Sequence, residues 1–299
     1  MLNYLTAAGT FAGIYALIAL GLNIIWGMTG MVNLGVIGYY AFGAYASAIL
    51  SLELGIPVPL SALIAVLITA GVGAATTLGV VRVKDDYLAI VTLGFAETVR
   101  LVAENEVWLT NGTDGLAQIP QPGLDVLGPA FGYCYFAFVL LTVCAALFLL
   151  ERLRGAPFGR VLRAIRDDAP VVAAAGKNVV QFQMVALAIG AGLMGLSGAI
   201  YAHYIGFVSP DTFGTQRLIY IFFAISLGGK GNNFGVVLGT FLLVLFDESA
   251  RFAISSLPGL SAVQIGAGRQ FIIGVCFLLV LRFRPRGVLP EARPAYGPE

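Results

Sequence analysis

The sequence predicts an all-α protein that crosses a membrane many times. Apolar stretches near 20 residues recur along the 299-residue chain, and hydrophobic residues make up 59% of it. Spanning a hydrocarbon core of about 30 Å takes roughly 20 such residues in a helix. Charged residues are only 11% of the chain and gather between these stretches. The 38 glycines would weaken a water-soluble helix bundle, but in lipid small residues let helix backbones approach closely.

The elements follow in order. The first apolar run, 4–25, has no basic residues before it and is too long for a signal-peptide core, so it is read as a span. Runs 34–52, 60–81, 87–102, 133–151, 180–203, 216–229, 234–254 and 265–282 come after it. Segment 34–52 is rich in Gly and Tyr, and 216–229 is short enough to be re-entrant. The expected total is eight to ten spans, in a single domain over 1–290. The ending "RPAYGPE" belongs to a polar segment, 291–299, expected to be a mobile tail.

Lys and Arg set the orientation. Arg82 and Lys84 form one cluster. Arg152, Arg154, Arg160, Arg163, Arg166 and Lys177 form the largest, and Arg282, Arg284 and Arg286 a third. The loop 103–132 carries Glu104, Glu106, Asp114 and Asp125 and no basic residue. Nine spans put all three basic clusters on one side and the acidic loop on the other. The basic side is then cytoplasmic, with the C-terminus inside and the N-terminus outside.

Several motifs mislead. "GAGLMG" (190–195) matches G-x-G-x-x-G but lies inside an apolar helical run, with no strand before it. Gly192, Gly195 and Gly198 read instead as a packing stripe. "LGGKGNN" is no phosphate loop, because Gly231 follows Lys230 where Ser or Thr is needed. ATP, if used, is bound by another chain, and no cofactor is expected in this one. "NGT" at 111–113 reads as a turn in a Gly/Asp-rich loop. Cys134, Cys144 and Cys276 read as small core residues without disulfides. His203 is alone, cannot form a metal site, and reads as an interfacial or hydrogen-bonded side chain. No nucleophile–base–acid set shares a face, so no catalytic residue is expected. Asp85 and Asp86 read as N-caps of a solvated helix start.

Two charge groups lie deeper: Glu97 with Arg100, and Asp247 with Glu248 and Arg251. Charges inside a membrane are costly and mark functional sites by default. Both groups contain a partner at i+3 or i+4, so they read as structural pairs or interfacial charges rather than a transport path. "GMTGMVNLG" (27–35) and "GGKGNNFG" (228–235) resemble each other weakly. They fit either a remnant internal repeat or chance in a Gly-rich chain.

The basic loop about 152–179 holds more than charge. In "FGRVLRAIR" (158–166), Phe158, Val161, Leu162 and Ile165 share a helical face. Asp167 and Asp168 then offer N-caps for a second helix, Pro170 suits its first turn, and Gly176 can end it. The spacing predicts two short helices with a sharp turn between them. The second is small-faced, a surface suited to a groove of another protein. The positive-inside bias explains the arginines but not a capped, alanine-rich helix between two long spans.

This loop resembles the cytoplasmic EAA loop of ABC importer permeases, whose short coupling helix docks into an ATPase. Ala173, Ala174 and Gly176 approximate its small-residue pattern, although the usual glutamate is absent. More broadly, "DDYLAIVTLGFAETVR" (85–100), "TNGTDGL" (110–116), "GRVLRAIRDDAPVVAAAGKNV" (159–179), "FVSPDTFG" (207–214), "SLGGKGNNFGVVLGT" (226–240) and "RFRPRGVLP" (282–290) resemble, in order, LivM-type permeases of branched-chain amino acid uptake systems. The resemblance implies an ABC importer permease fold in a bacterial inner membrane. It implies a LivH-type second permease, two cytoplasmic ATP-binding subunits and a periplasmic substrate-binding protein as partners, with membrane lipid around them and no nucleic acid. Asp167, Asp168, Ala173, Ala174 and Gly176 would then couple ATPase closure to the pathway. The family includes relatives for urea and short amides, so it leaves the substrate open between these and amino acids. An ATP-independent transporter or channel is the rival reading.

Overall fold

The structure, a computed structural model, describes residues 2–80, 85–255, 262–284 and 286–291. Each of the nine expected helical segments is a helix. They are α1 (Leu2–Leu22), α2 (Val36–Leu52), α3 (Val58–Val80), α4 (Asp85–Asn105), α7 (Phe131–Gly155), α9 (Val179–Ile205), α10 (Thr215–Gly228), α11 (Asn233–Ser255) and α12 (Ala262–Phe283). The short α5 (Val107–Thr110) and α6 (Leu124–Leu127) lie in the acidic loop, and α8 (Pro157–Ala174) occupies the basic one. Five helical stretches are long and apolar enough to cross a bilayer unaided: Leu2–Met28, Val58–Gly79, Leu124–Gly155, Val179–Ile205 and Asn233–Ala250. The chain is a multi-pass helical membrane protein. Arg82 and Lys84, the side chains of Asp85, Asp86 and Arg251, and residues 292–299 lie outside the described residues.

Two helices form the centre. From Ile14 to Leu22, α1 is almost wholly buried, packed against α7, α9 and α11. The second is α9, which lies against α1, α2 and α3. Glycines make these crossings close. A Cβ on Gly21 would meet the Gly190 carbonyl at 2.5 Å, and one on Gly195 would meet Thr69 of α3 at 2.7 Å. Gly43 of α2 faces the Gly195 backbone, and Gly198 faces the Tyr40 carbonyl. Gly192 is looser, 3.5 Å from Ala70 Cβ. Three-residue spacing falls short of a 3.6-residue turn, so the three glycines drift around α9, from α3 towards α2.

The loops that follow α4 and α9 are stapled together. A two-residue antiparallel ribbon pairs β1 (Leu116–Ala117) with β2 (Phe207–Val208), in register Leu116↔Val208. The "NGT" stretch is a turn: Asn111 adopts a left-handed φ of 59° and donates from Nδ2 to the Gly115 carbonyl at 3.0 Å.

Some expectations need correction. Cys134 and Cys144 are exposed rather than core residues, whereas Cys276 is half-buried and packs against the Phe223–Ala224–Leu243 cluster. α7 turns only one face to α1, and its other face, with Leu141 and Phe148, points outward. In lipid an outward face is as apolar as an inward one, so hydrophobicity does not mark the core. His203 fits its hydrogen-bonded reading. It is 2% exposed and held between Ser47 Oγ at 2.8 Å and the Pro120 carbonyl at 2.7 Å.

Candidate coupling site

α8 is two helices joined at a break. Asp168 has φ −159° and ψ 92°, an extended conformation inside an otherwise helical segment. The physical cause is local. Pro170 lacks the N–H that would bond the Arg166 carbonyl, so one continuous helix cannot run through it undisturbed. Asp168 Oδ1 accepts the Val171 N–H at 3.1 Å, capping the second helix. Asp167 does not cap; it lies 3.5 Å from Arg166 Nε.

The second helix ends as sharply as it begins. Gly176 takes φ 78°, a left-handed conformation that costs glycine nothing. Its N–H bonds the Ala173 carbonyl at 2.9 Å, and the Lys177 N–H bonds the Val172 carbonyl at 3.3 Å. This bond pair is a Schellman ending. Asn178 Oδ1 then caps α9 by accepting from Gln181 N at 3.2 Å. Between the caps, Val172 is buried, whereas Ala173, Ala174, Ala175 and Gly176 are exposed and Val171 is 62% exposed. The result is a short, capped knob of small side chains standing off the membrane-spanning body.

The first half of α8 anchors that knob. Leu162 and Ile165 are buried, and Phe158 stacks on Phe182 of α9 at 5.5 Å. Arg160 is exposed. Arg166 reaches across the fold. Its Nη1 donates to the Gly27 carbonyl at 2.5 Å and to Glu291 Oε2 at 2.8 Å. Gly27 lies in the π-helical turn Asn23–Met28 that ends α1, where the last carbonyls of a helix lack partners. Arg166 supplies one. Glu291, the first residue of the expected mobile tail, is thereby held.

Behind Arg166 lies a polar network that sequence reasoning missed. Asn23 and Asn233 are fully buried. Asn23 Nδ2 donates to Asn233 Oδ1 at 2.8 Å, and Asn23 Oδ1 accepts the Gly231 N–H at 2.8 Å. Asn233 Nδ2 donates to Glu151 Oε1 at 2.9 Å, and Glu151 lies 3.4 Å from Arg154. Thus the two weakly similar Gly/Asn segments sit against each other. The Gly27 backbone approaches Gly231 so closely that a Cβ would lie 2.7 Å from its nitrogen. Lys230 sits over the Trp26 ring at 5.2 Å, and Leu289 N–H bonds the Gly228 carbonyl at 3.0 Å. The signal available in sequence was a lone Asn in the apolar stretch "GLNIIWG" and the Asn pair 232–233.

The other expected site residues lie apart from this one. Arg100 pairs with Glu97 at 2.6 Å and with Glu104 at 2.8 Å along α4. Asp247 is 6% exposed, and Glu248 accepts the Tyr4 hydroxyl from α1. The Arg251 side chain lies outside the described residues. Gly192, Gly195 and Gly198 stand at the α9 crossings described above. Among the described residues no His/Cys/Asp/Glu group has metal-binding proximity.

Comparison with known proteins agrees with this architecture. The family model "Branched-chain amino acid transport system / permease component" matches residues 4–281. The high-affinity branched-chain amino acid transport permease LivM of Salmonella typhimurium is 32% identical over 95% of this chain and 70% of its own length. The probable LivM of Methanocaldococcus jannaschii is 29% identical over 93% of this chain and 91% of its own. A Salmonella typhimurium LivH permease is 24% identical over 94% and 92%. No solved structure matches. By its family match and its LivM relatives, the chain belongs to the permease-component family of branched-chain amino acid transport systems.

Proposed function

We propose that this chain is one membrane-spanning subunit of an ATP-driven importer for branched-chain or related hydrophobic amino acids. Residues 1–290 act as one permease domain. The LivM and LivH relatives support this substrate class, and they support a second, LivH-type permease as partner. Two cytoplasmic ATPase subunits bind and hydrolyse the ATP, a periplasmic protein delivers the substrate, and this chain catalyses nothing itself. The basic clusters put α8 and the C-terminus in the cytoplasm of a bacterial inner-membrane system.

The observation that carries the reading is the exposed knob Ala169–Gly176. It is capped at Asp168, closed at Gly176 and tied through Arg166 to the end of α1. A short helix with bare alanines fits a groove closely. Its anchoring lets force applied by an ATPase reach α1 and the Gly231–Asn233 segment together. Replacing Ala174 with Arg puts a long charged side chain on the docking face. An unpaired buried charge at an interface costs on the order of 2–5 kcal/mol. Ala174→Arg should still insert in the membrane, while ATPase co-purification and ATP-driven uptake fall sharply. Intact ATPase binding and uptake in that variant would reduce the loop to a positive-inside anchor. A wild-type chain that imports without any bound ATPase would favour an ATP-independent transporter instead.

A further inference from the structure

Four buried side-chain atoms lack a hydrogen-bond partner among the described residues: Asn33 Nδ2, Tyr40 Oη, Tyr45 Oη and Arg217 Nη1. Buried polar groups are almost always paired, so each such atom needs a reason. Three of the four belong to one cluster. Arg217, in the first turn of α10, lies over the Tyr201 ring at 5.9 Å and beside Tyr40. Tyr40 packs on Tyr201 at 5.7 Å and on Phe213 at 5.2 Å, and Phe213 packs on Tyr45 at 5.8 Å. Tyr40, Tyr45, Tyr201 and Phe213 are all at least nine-tenths buried. No carboxylate lies within ion-pair distance of Arg217 among the described residues.

We infer that Arg217, with the hydroxyl of Tyr40, forms a site for the carboxylate of a small solute, closed in this conformation by Phe213. A guanidinium and a phenolic O–H both donate, the set that a carboxylate satisfies. Asp211, exposed two residues before Phe213 in the same turn, offers the opposite charge for an ammonium. The chemistry therefore suits an amino acid zwitterion. Ile37, Leu93 and Leu218 line a small cleft beside Phe213, together with Glu97, whose carboxylate is paired with Arg100. That cleft is far too small for a solute, at about 10 Å³, so entry requires the Pro210–Phe213 turn to withdraw. A roomier cavity of about 350 Å³ between α3, α7 and α9 offers no comparable set. Its two polar side chains are already engaged, His203 with Ser47 and Pro120, and Tyr135 with the Ile200 carbonyl.

That the ligand is a solute in transit rests on the permease reading, but the carboxylate chemistry does not. The test uses the full-length chain in nanodiscs and follows its thermal midpoint with leucine, 4-methylpentanoate (carboxylate without ammonium) and 3-methylbutylamine (ammonium without carboxylate). Leucine and the acid should stabilise the protein and the amine should not. Arg217→Met should weaken the apparent affinity for the acid by about tenfold or more, the loss expected of a charge-assisted contact. Phe213→Ala should strengthen it by opening the site. Tyr40→Phe, which removes one hydroxyl at nearly constant volume, gives the same judgement if Arg217→Met does not fold. Stabilisation by the amine equal to that by the acid would overturn the site. So would unchanged acid affinity in Arg217→Met, or in Tyr40→Phe where it stands in, and so would no response to any of the three. Absence of a bound ATPase from the wild-type chain would overturn the ATP-driven reading while leaving this binding assay to judge the site.

Discussion

Asn233 shows how one buried amide can tie three segments. Its Oδ1 accepts from Asn23 and its Nδ2 donates to Glu151. Asn233→Leu would leave Asn23 Nδ2 buried without a partner, because Asn23 has no access to solvent. Glu151 is less constrained, with 28% of its side chain exposed, and can turn to water. The unpaired amide costs about 1–3 kcal/mol, so the variant should unfold several degrees below wild type in a size-exclusion thermostability assay. Adding Asn23→Leu should recover part of the loss, since two apolar partners no longer strand each other. Recovery stays partial because the Gly231 N–H loses its acceptor. A single variant as stable as wild type would mean that the network holds nothing together.

At the scale of elements, the α9 crossings make opposite predictions for neighbouring glycines. A methyl at Gly198 collides with the Tyr40 carbonyl, which is backbone and cannot swing away, whereas one at Gly192 meets Ala70 at an ordinary 3.5 Å. Gly198→Ala should destabilise by about 1–3 kcal/mol through overpacking and lower the yield of folded protein. Gly192→Ala should be neutral or slightly stabilising. Equal behaviour of the two would remove the close α2–α9 crossing. α8 yields a functional contrast. Arg166→Met cuts the link to Gly27 and Glu291 but leaves the exposed knob unchanged. ATPase co-purification should therefore persist while uptake falls, and Arg160→Ala, at an exposed position, should affect neither. Loss of ATPase association in Arg166→Met would assign Arg166 to docking rather than transmission.

The same contrast between local and distant contacts explains how much was legible in the sequence. Helix existence is written locally, because bilayer thickness imposes apolar runs of fixed length, and all nine expected segments appear. The turn at Asp168 and the stop at Gly176 were legible for the same reason: caps are read by residues two or three positions away. The Asn23–Asn233 bond joins residues 210 apart, and no periodicity announces such a pair. Arg217 escaped notice for a different reason. Near a helix start it resembles any flanking arginine, and only the tertiary fold puts Tyr40 and Tyr201 around it. The outward cysteines failed because an apolar chain in lipid has no polar face to mark its outside.

The two ends of the whole molecule gather different segments. β1 pairs with β2, so the loops around 103–132 and 206–214 share one end. Arg166, Gly27, Gly231, Glu291 and the α8 knob share the other. The β1–β2 pairing requires an even number of crossings between the two loops, which α7 and α9 supply; an odd miscount would separate them. The orientation proposed from the positive-inside bias puts the end with Arg152 to Lys177 in the cytoplasm. Cysteine labelling tests this in intact cells, but Cys134 and Cys144 are exposed and must first be replaced by Ser, with Cys276. In that background Thr113→Cys, exposed beside the Asn111 turn, should react with a membrane-impermeant maleimide. Ala175→Cys, exposed at the end of the knob, should react only after the membrane is opened. Reversed labelling would invert the protein in the membrane and carry the α8 knob out of reach of any cytoplasmic ATPase. Labelling of both sites in sealed cells would put positions 113 and 175 on one side and break the assignment of these two loops to opposite ends.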